Sequence, residues 1–206
     1  LQAFYSYDAN PEIVVKRIAD EFSDIQHSAI LSYEDYYREF SFPATSMLGK
    51  NLIDQINSDG GKASGELLDA VKEDTIENLV DNIENKLGPI DVVVYNLGAQ
   101  IGNKKLENLT LKQFDLGIKM GTLGLFRLAK TLFPFMTKRG SGTLIATSST
   151  ASVRGNRGQH SHAAAMGARR MLCQTLNDEF SIKGIHIVHA IIDGAVDAPD
   201  TLGKML

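Results

Sequence analysis

Two side chains suited to proton transfer, Ser149 and His162, stand thirteen residues apart. Ser149 follows an apolar, strand-like run over residues 143–147, and His162 opens a long helical pattern after a loop of glycine, asparagine and arginine. Strand, serine, loop and helix in this order commonly build a site at the carboxyl end of a sheet strand. Imidazole has an unperturbed pKa of about 6.5, so His162 could act as acid or base and form a hydrogen bond with Ser149. We name both as candidate catalytic residues, although a histidine near a strand end can also be purely structural.

Asp193 could extend this pair to a Ser–His–acid arrangement, because it follows the apolar run 185–192 at another predicted strand end. A hydrolase on Ser149, His162 and Asp193 would need triad geometry and an oxyanion hole. No Gly-x-Ser-x-Gly elbow surrounds Ser149, which argues against this alternative. His160, His162 and Asp193 are no better supported as metal ligands, and no metal site is predicted.

The elements that must position these residues are read from hydrophobic periodicity, which separates strands from amphipathic helices. The predicted strands cover residues 3–7, 28–33, 62–68, 90–95, 143–147 and 185–192, and the predicted helices cover 11–22, 47–56, 73–87, 111–138 and 159–180. Strands that alternate with helices of this length predict an α/β fold with a doubly wound parallel sheet. No linker, repeat or low-complexity tract interrupts residues 1–206, so we expect a single domain.

Composition narrows the possible partners. The chain has 206 residues and a net charge of −4, which argues against nucleic-acid or anionic-membrane partners. No apolar run reaches the roughly 18–20 residues that span a bilayer. The single cysteine, Cys173, lies in a helical pattern and reads as a buried apolar residue. One cysteine fits a reducing compartment, and we expect a cytoplasmic protein.

The stretch from residue 142 to residue 176 resembles the active-site region of the short-chain dehydrogenases/reductases. In that family a strand-end serine precedes a Tyr-x-x-x-Lys pair at the start of the next helix. With Ser149 as the serine, the tyrosine and lysine positions hold His162 and Met166. The family also has an asparagine in the preceding long helix, and its position here is Gly121. The resemblance therefore implies the family's Rossmann-like frame with only the serine of the proton relay retained.

The dinucleotide turn of the family is absent at its expected place. The family's Gly-x-x-x-Gly-x-Gly positions fall on Ala9, Ile13 and Val15, and residues 8–15 contain no glycine. Branched side chains would crowd a pyrophosphate that the backbone normally approaches closely. We expect loss of tight dinucleotide binding, with a remodelled turn that still binds NAD(P) as the alternative.

Other strand ends keep the family's appearance. Residues 95–98, which include Asn96 and Gly98, resemble the Asn-Asn-Ala-Gly motif beside the nicotinamide. Asp69 stands where the family has an aspartate near the adenine, and Glu34 or Asp35 stands where an acid would bind a ribose hydroxyl. The resemblance thus implies Asp69, Asn96 and Gly98 as candidate cofactor-binding residues, while each also suits an ordinary turn. Residues 1–206 do not contain a counterpart of the family's last helix and strand.

These observations predict a short-chain dehydrogenase-like protein that lacks the family's usual NAD(P)-dependent carbonyl or alcohol activity, a pseudoenzyme or partner subunit. We expect no cofactor or weak binding, with NAD(P) as the cofactor if the protein is active. The resemblance implies a homo- or hetero-oligomer that associates through helices 111–138 and 159–180. The alternative is a divergent NAD(P)-dependent oxidoreductase that uses Ser149 and His162, and the Ser–His hydrolase is the remote third reading.

Overall fold

The computed structural model contains a four-stranded parallel sheet, which confirms the predicted Rossmann-like α/β class. It describes residues 28–31, 53–54, 56–65, 68–72, 74–98 and 103–194. The strands are β1 (Ser28–Leu31), β2 (Val92–Tyr95), β3 (Gly142–Ser149) and β4 (Ile185–Ile192), and they lie side by side in that order. The register aligns Ser149 with Ile192, so the carboxyl ends of β3 and β4 meet at one edge.

Four α-helices of at least 8 residues are described around the sheet, and each matches a predicted amphipathic segment. They are α1 (Thr75–Asn82), α2 (Leu111–Ile118), α3 (Gly124–Arg139) and α4 (His160–Phe180). A π-helical turn, Ile83–Leu87, extends α1, and a second one, Lys119–Leu123, joins α2 to α3. The predicted helix 111–138 is therefore one continuous helical run with a widened turn in its middle.

One predicted strand is wrong. Residues 62–65 and 68 were expected in a strand, but none of them pairs with the sheet. The Asn57 side-chain amide donates to the Ala63 carbonyl at 3.0 Å, and the Ala63 N–H donates to Asn57 Oδ1 at 2.7 Å. These two bonds satisfy the Ala63 backbone without a neighbouring strand. The predicted helix 47–56 is described only at residues 53–54 and 56, and its helical conformation continues to residue 58.

Several predictions fall outside the described residues: the strand 3–7, the helix 11–22, the turn 8–15 and the acids at 34 and 35. Within the described part of the chain, no helix combines the length and apolarity needed to cross a membrane.

The core lies between the sheet and helices α1, α3 and α4. Its fully buried members include Ile76, Val93, Tyr95, Leu125, Leu128, Leu132, Phe133, Met136, Leu144 and Ile185. Cys173 is 2% exposed within the same cluster, as the helical pattern predicted. Burial raises the pKa of its thiol to about 11, so Cys173 stays protonated and unreactive at neutral pH.

A partly buried ion pair joins the amino-terminal end of β2 to two helices. Arg139 Nη1 lies 3.0 Å from Glu84 Oε2, and the Glu84 side chain is 4% exposed. Glu84 Oε1 accepts the Ile90 N–H at 2.9 Å, while Arg139 Nη2 donates to the Ile90 carbonyl. The pair thus joins the end of α3 to the turn after α1 and to the segment that enters β2.

We expect Glu84→Ala to lower the free energy of unfolding by about 1.5–3 kcal/mol, because the carboxylate that accepts from Arg139 and from the Ile90 N–H is removed. Glu179→Ala is the matched control, since Glu179 forms an exposed i,i+4 pair with Lys183 at 3.6 Å. That variant should change stability by less than about 1 kcal/mol. Urea denaturation measures both, and equal losses would contradict the structural role of the Glu84–Arg139 pair.

Candidate active site

Ser149 and His162 meet at the carboxyl edge of the sheet. Ser149 ends β3, His162 lies in the first turn of α4, and Ser149 Oγ is 3.0 Å from His162 Nε2. Ser149 Oγ also accepts the Ala151 N–H at 3.3 Å. The hydroxyl proton can therefore be directed to Nε2 when the imidazole carries its own proton on Nδ1. Ser149 and His162 therefore form a proton path of two residues. The path does not continue beyond His162, because its buried Nδ1 has no hydrogen-bond partner among the described residues.

The imidazole of His162 is neutral at physiological pH. Burial lowers its pKa below the usual value of 6.5, and the positive charge of Arg169 lowers the pKa further. A neutral imidazole can accept a proton, but only the minor imidazolium form could readily donate one to an oxyanion. The site therefore contains a weak base rather than a ready acid.

Met166 fills the position of the family's lysine with an apolar side chain. Met166 is 2% exposed and packs with Ala151 and Ala165. Its sulfur lies 3.6 Å from Ser148 Oγ, a weak hydrogen-bond contact. A thioether supplies neither positive charge nor a hydrogen-bond donor, so nothing at this position can lower the pKa of an acid or hold a ribose.

Gly121, at the family's asparagine position, lies where the widened turn packs tightly against α4. A Cβ atom added to Gly121 would lie 2.6 Å from Ala165 Cβ and 3.3 Å from Met166 Cε. Thr122 Oγ1 donates to the Ala165 carbonyl at 2.9 Å and holds the two segments together. An asparagine side chain at position 121 would require α4 to move. The tight packing of α4 is therefore compatible with glycine at this position and not with the family's asparagine.

Arg169 is the residue that the sequence reasoning missed. It is 2% exposed, and its Nε donates to the Gly121 carbonyl at 2.6 Å. Its two other nitrogens donate to the carbonyls of Thr147 and Leu97. Among the described residues no carboxylate forms an ion pair with Arg169, and its charge instead lies 5.1 Å from the centre of the Tyr95 ring. Arg169 therefore fastens α4 to the ends of β2 and β3 and to the widened turn.

A sequence signal for the burial of Arg169 does exist. Arg169 stands four residues after Ala165 and four before Cys173, and both neighbours are 2% exposed. Residues at this spacing lie on one face of a helix. The pattern places Arg169 on the buried face, although it does not reveal which acceptors the guanidinium finds there.

Tyr95 occupies the first position of the Asn-Asn-Ala-Gly-like segment and plays a structural part. Its hydroxyl donates to the Met120 carbonyl at 2.6 Å. Burial raises the pKa of Tyr95 strongly, so the phenol remains protonated. Tyr95 is fully buried and hydrogen-bonded to the widened turn, and it offers no substitute for the missing catalytic tyrosine.

The predicted cofactor residues make contacts within the protein. The Asp69 carboxylate accepts the Val71 N–H at 3.1 Å, which forms the turn that leads into α1. Asn96 Oδ1 accepts the Thr147 hydroxyl at 2.5 Å, and the Asn96 side chain is otherwise exposed. Gly98 faces Met166, whose Cε would lie 4.0 Å from an added Cβ. In the family a lysine cation holds the ribose of the nicotinamide half of the cofactor. Met166 stands at that position here, so this end of the site does not fit the family's mode of ribose binding.

Asp193 is not joined to the Ser149–His162 pair. It follows β4 and is exposed, and His162 Nδ1 makes no hydrogen bond within the described residues. The Ser–His–acid geometry of a hydrolase is therefore not formed. No group of three or more His, Cys, Asp or Glu side chains in the described ranges is placed to hold a metal ion.

Comparisons with known proteins agree with this frame. The sequence model of the family described as "short chain dehydrogenase" matches residues 41–204, and the chain belongs to this family. The 3-oxoacyl-(acyl-carrier-protein) reductase of Thermotoga maritima is 26% identical over 151 residues, which cover 73% of this chain and 61% of the relative. The 7alpha-hydroxysteroid dehydrogenase of Escherichia coli K12 is 27% identical over 71% of this chain and 56% of its own. This chain thus spans about three fifths of these relatives.

Solved structures show the same architecture. A short-chain dehydrogenase from Rhodopseudomonas palustris superposes with a TM-score of 0.72 at 25% identity, over 88% of this chain and 78% of that chain. A putative NAD(P)-dependent gluconate 5-dehydrogenase from Beutenbergia cavernae, solved with bound NADP, superposes with a TM-score of 0.70 over 76% of this chain and 62% of its own. Its 22% identity supports the common fold alone.

We expect Arg169→Met to lower the free energy of unfolding by at least about 3 kcal/mol, because three carbonyls, two of them buried, lose their donor. The pKa of His162 should rise at the same time, since the neighbouring positive charge is removed. Arg170→Met is the matched control: it removes one charge from the next position of α4 and breaks no side-chain hydrogen bond that the structure shows. Denaturation and histidine NMR titration measure the two effects, and an unchanged His162 pKa in folded Arg169→Met would contradict the electrostatic coupling.

Proposed function

We propose that this protein is a short-chain dehydrogenase-like pseudoenzyme or partner subunit that does not catalyse the family's usual NAD(P)-dependent carbonyl or alcohol reaction. The observation that carries the proposal is Met166, a buried thioether in place of the cation that the family's chemistry requires. Carbonyl reduction needs an acid that protonates the oxyanion as hydride arrives. The family's tyrosine serves as that acid only because the lysine lowers its pKa.

The remaining groups do not replace the tyrosine and lysine. His162 has a lowered pKa and is therefore a poor proton donor at neutral pH. Arg169 is a cation one helical turn after Met166, but each of its three nitrogens already donates to a backbone carbonyl. Its buried charge stabilises the fold and opposes protonation of His162, which is the reverse of what an acid catalyst needs.

The cofactor side of the site supports the same proposal. Residues 8–15 lack the glycines that allow close approach to a pyrophosphate, and Met166 cannot hold a ribose hydroxyl. We therefore propose weak or no binding of NAD(P), whereas relatives such as the gluconate 5-dehydrogenase were solved with NADP.

A partner-subunit role is compatible with the outer surfaces of the two long helices. Phe126 on α3 and Met171 on α4 are 47% and 52% exposed. An added Cβ at Gly167 of α4 would meet nothing within 4 Å, so this helix face is open. We propose that the segments 111–138 and 159–180 contact another subunit through these faces.

The proposal is tested by hydride turnover with purified protein, NADH or NADPH, and a panel of ketones, 3-oxoacyl thioesters and oxosteroids. We expect oxidation of the reduced cofactor at the rate without protein, because the site lacks a competent acid. His162→Ala should leave that rate unchanged. His160→Ala is the matched control on the same helix turn, since His160 is exposed. Turnover above background that His162→Ala abolishes and His160→Ala keeps would overturn the pseudoenzyme proposal.

The 3.0 Å contact between Ser149 and His162 favours one second candidate, a divergent NAD(P)-dependent oxidoreductase. In reduction the His162 imidazolium would donate its proton to the substrate oxygen. The pKa of His162 is lowered, so the rate of reduction should increase as the pH falls below 6.5 towards the pKa of His162. The rate of oxidation should increase as the pH rises, because the neutral imidazole can accept a proton. A pH–rate profile distinguishes this candidate, and a rate that is flat across this range would exclude His162 as the acid.

A further inference from the structure

Two neighbouring loops carry four cationic side chains, and one of these loops connects Ser149 to His162. The first loop, residues 103–105, contributes Lys104 and Lys105, and the second loop, residues 153–158, contributes Arg154 and Arg157. Both arginines and Lys105 are exposed. We call these four side chains the cationic rim. Lys105 has one carboxylate nearby, Glu107 at 3.9 Å, and the other three have no ion pair within the described residues.

The two residues that flank the second loop are in contact, which makes the loop compact. It lies between Ser149 and His162, whose side chains are 3.0 Å apart. The N–H groups of Val153 and Arg154 donate to the Thr150 carbonyl at 3.0 Å, so the chain turns immediately after the serine. Arg154 and Arg157 are therefore carried on a compact loop at the edge where parallel sheets bind ligands.

The first loop is fixed against the second one. The Lys104 N–H donates to the Gly158 carbonyl at 3.0 Å. Gly158 has a φ of +82°, and an added Cβ would lie 3.3 Å from Asn103 Cβ and 3.4 Å from the Lys104 nitrogen. The positive φ favours glycine at this position, and the neighbouring loop would have to shift slightly to accept a Cβ atom. The four rim residues therefore lie on one local surface.

The sequence around the second loop supplies no acidic residue that could neutralise its two arginines. The whole chain has a net charge of −4, but the stretch between Asp115 and Asp178 contains nine lysines and arginines and no acidic residue. Three of the nine, Lys119, Arg127 and Arg139, form ion pairs with carboxylates from outside this stretch. Arg154 and Arg157 do not. The first turn of α4 also contains no acidic residue and its N-cap makes no side-chain bond, so the helix end adds partial positive charge.

We propose that the cationic rim binds the phosphate group of a small molecule whose remainder extends towards Ser149 and His162. Arginine forks bind phosphate with paired hydrogen bonds, which lysine complements as a point charge. A surface of two short loops suits one compact anionic group better than an extended acidic polymer. The site depends on charge and loop geometry, and it is independent of whether the protein turns over a nicotinamide cofactor.

The test uses inorganic pyrophosphate as the probe, titrated into the full chain by calorimetry at low salt. We expect saturable binding that Arg154→Gln/Arg157→Gln weakens at least about tenfold, because two phosphate contacts are lost. Lys130→Gln/Lys138→Gln is the matched control, since both lysines are exposed on α3 and the net charge changes equally. The control should bind within about twofold of the unaltered protein, as distant exposed charges are screened.

Amide NMR of the same titration locates the probe. Shifts concentrated at Gly155, Gly158 and the first turn of α4 would support the rim as the site. Absence of saturable binding at millimolar pyrophosphate would overturn the proposal. Equal weakening in the two double variants would also overturn it, because binding would then follow net charge alone. Binding unaffected by the rim variant would assign the pyrophosphate to another site and equally contradict the proposal.

Discussion

The buried guanidinium of Arg169 is the contact on which the arrangement of the site depends. It donates to the carbonyls of Gly121, Thr147 and Leu97, which belong to the widened helical turn, to β3 and to the segment after β2. A buried charge is very costly unless hydrogen bonds satisfy it. The three segments must therefore stay where these bonds can form, and α4, which carries Arg169, is held against them. This holds Ser149 and His162 together at the same edge.

The family's frame is kept in this chain, while three positions of its proton relay hold Gly121, His162 and Met166. The frame depends on apolar packing, to which Met166, Ala165 and Gly121 contribute by close contact. It also depends on backbone acceptors, which Arg169 and Thr122 satisfy. The chemistry depends on a few side chains, and those positions now hold residues that pack. The positive charge on α4 lies one turn further along, at Arg169, where it supports structure and suppresses protonation of His162.

The sequence predicted the elements with strong periodicity and missed the features set by single tertiary contacts. The strand 185–192 and the helices over 111–138 and 159–180 carry clear apolar patterns, and the structure contains them. Residues 62–65 lack a strand because Asn57 satisfies the Ala63 backbone, a contact that no local propensity signals. The meeting of Ser149 and His162 could be anticipated from a strand end and a helix start. The acceptors of Arg169 could not, because they come from three separate segments.

Titration of the purified protein with NAD(H) and NADP(H) by calorimetry, beside a thermal scan of the unliganded protein, tests most directly whether this frame has lost its cofactor chemistry. We predict a cooperative melting transition and no saturable binding at millimolar cofactor, because the ribose-holding cation and the glycine turn are both replaced. Saturable binding at micromolar concentration by either cofactor would contradict the central claim. The protein would then have to be treated as a dehydrogenase with a different mode of nucleotide binding.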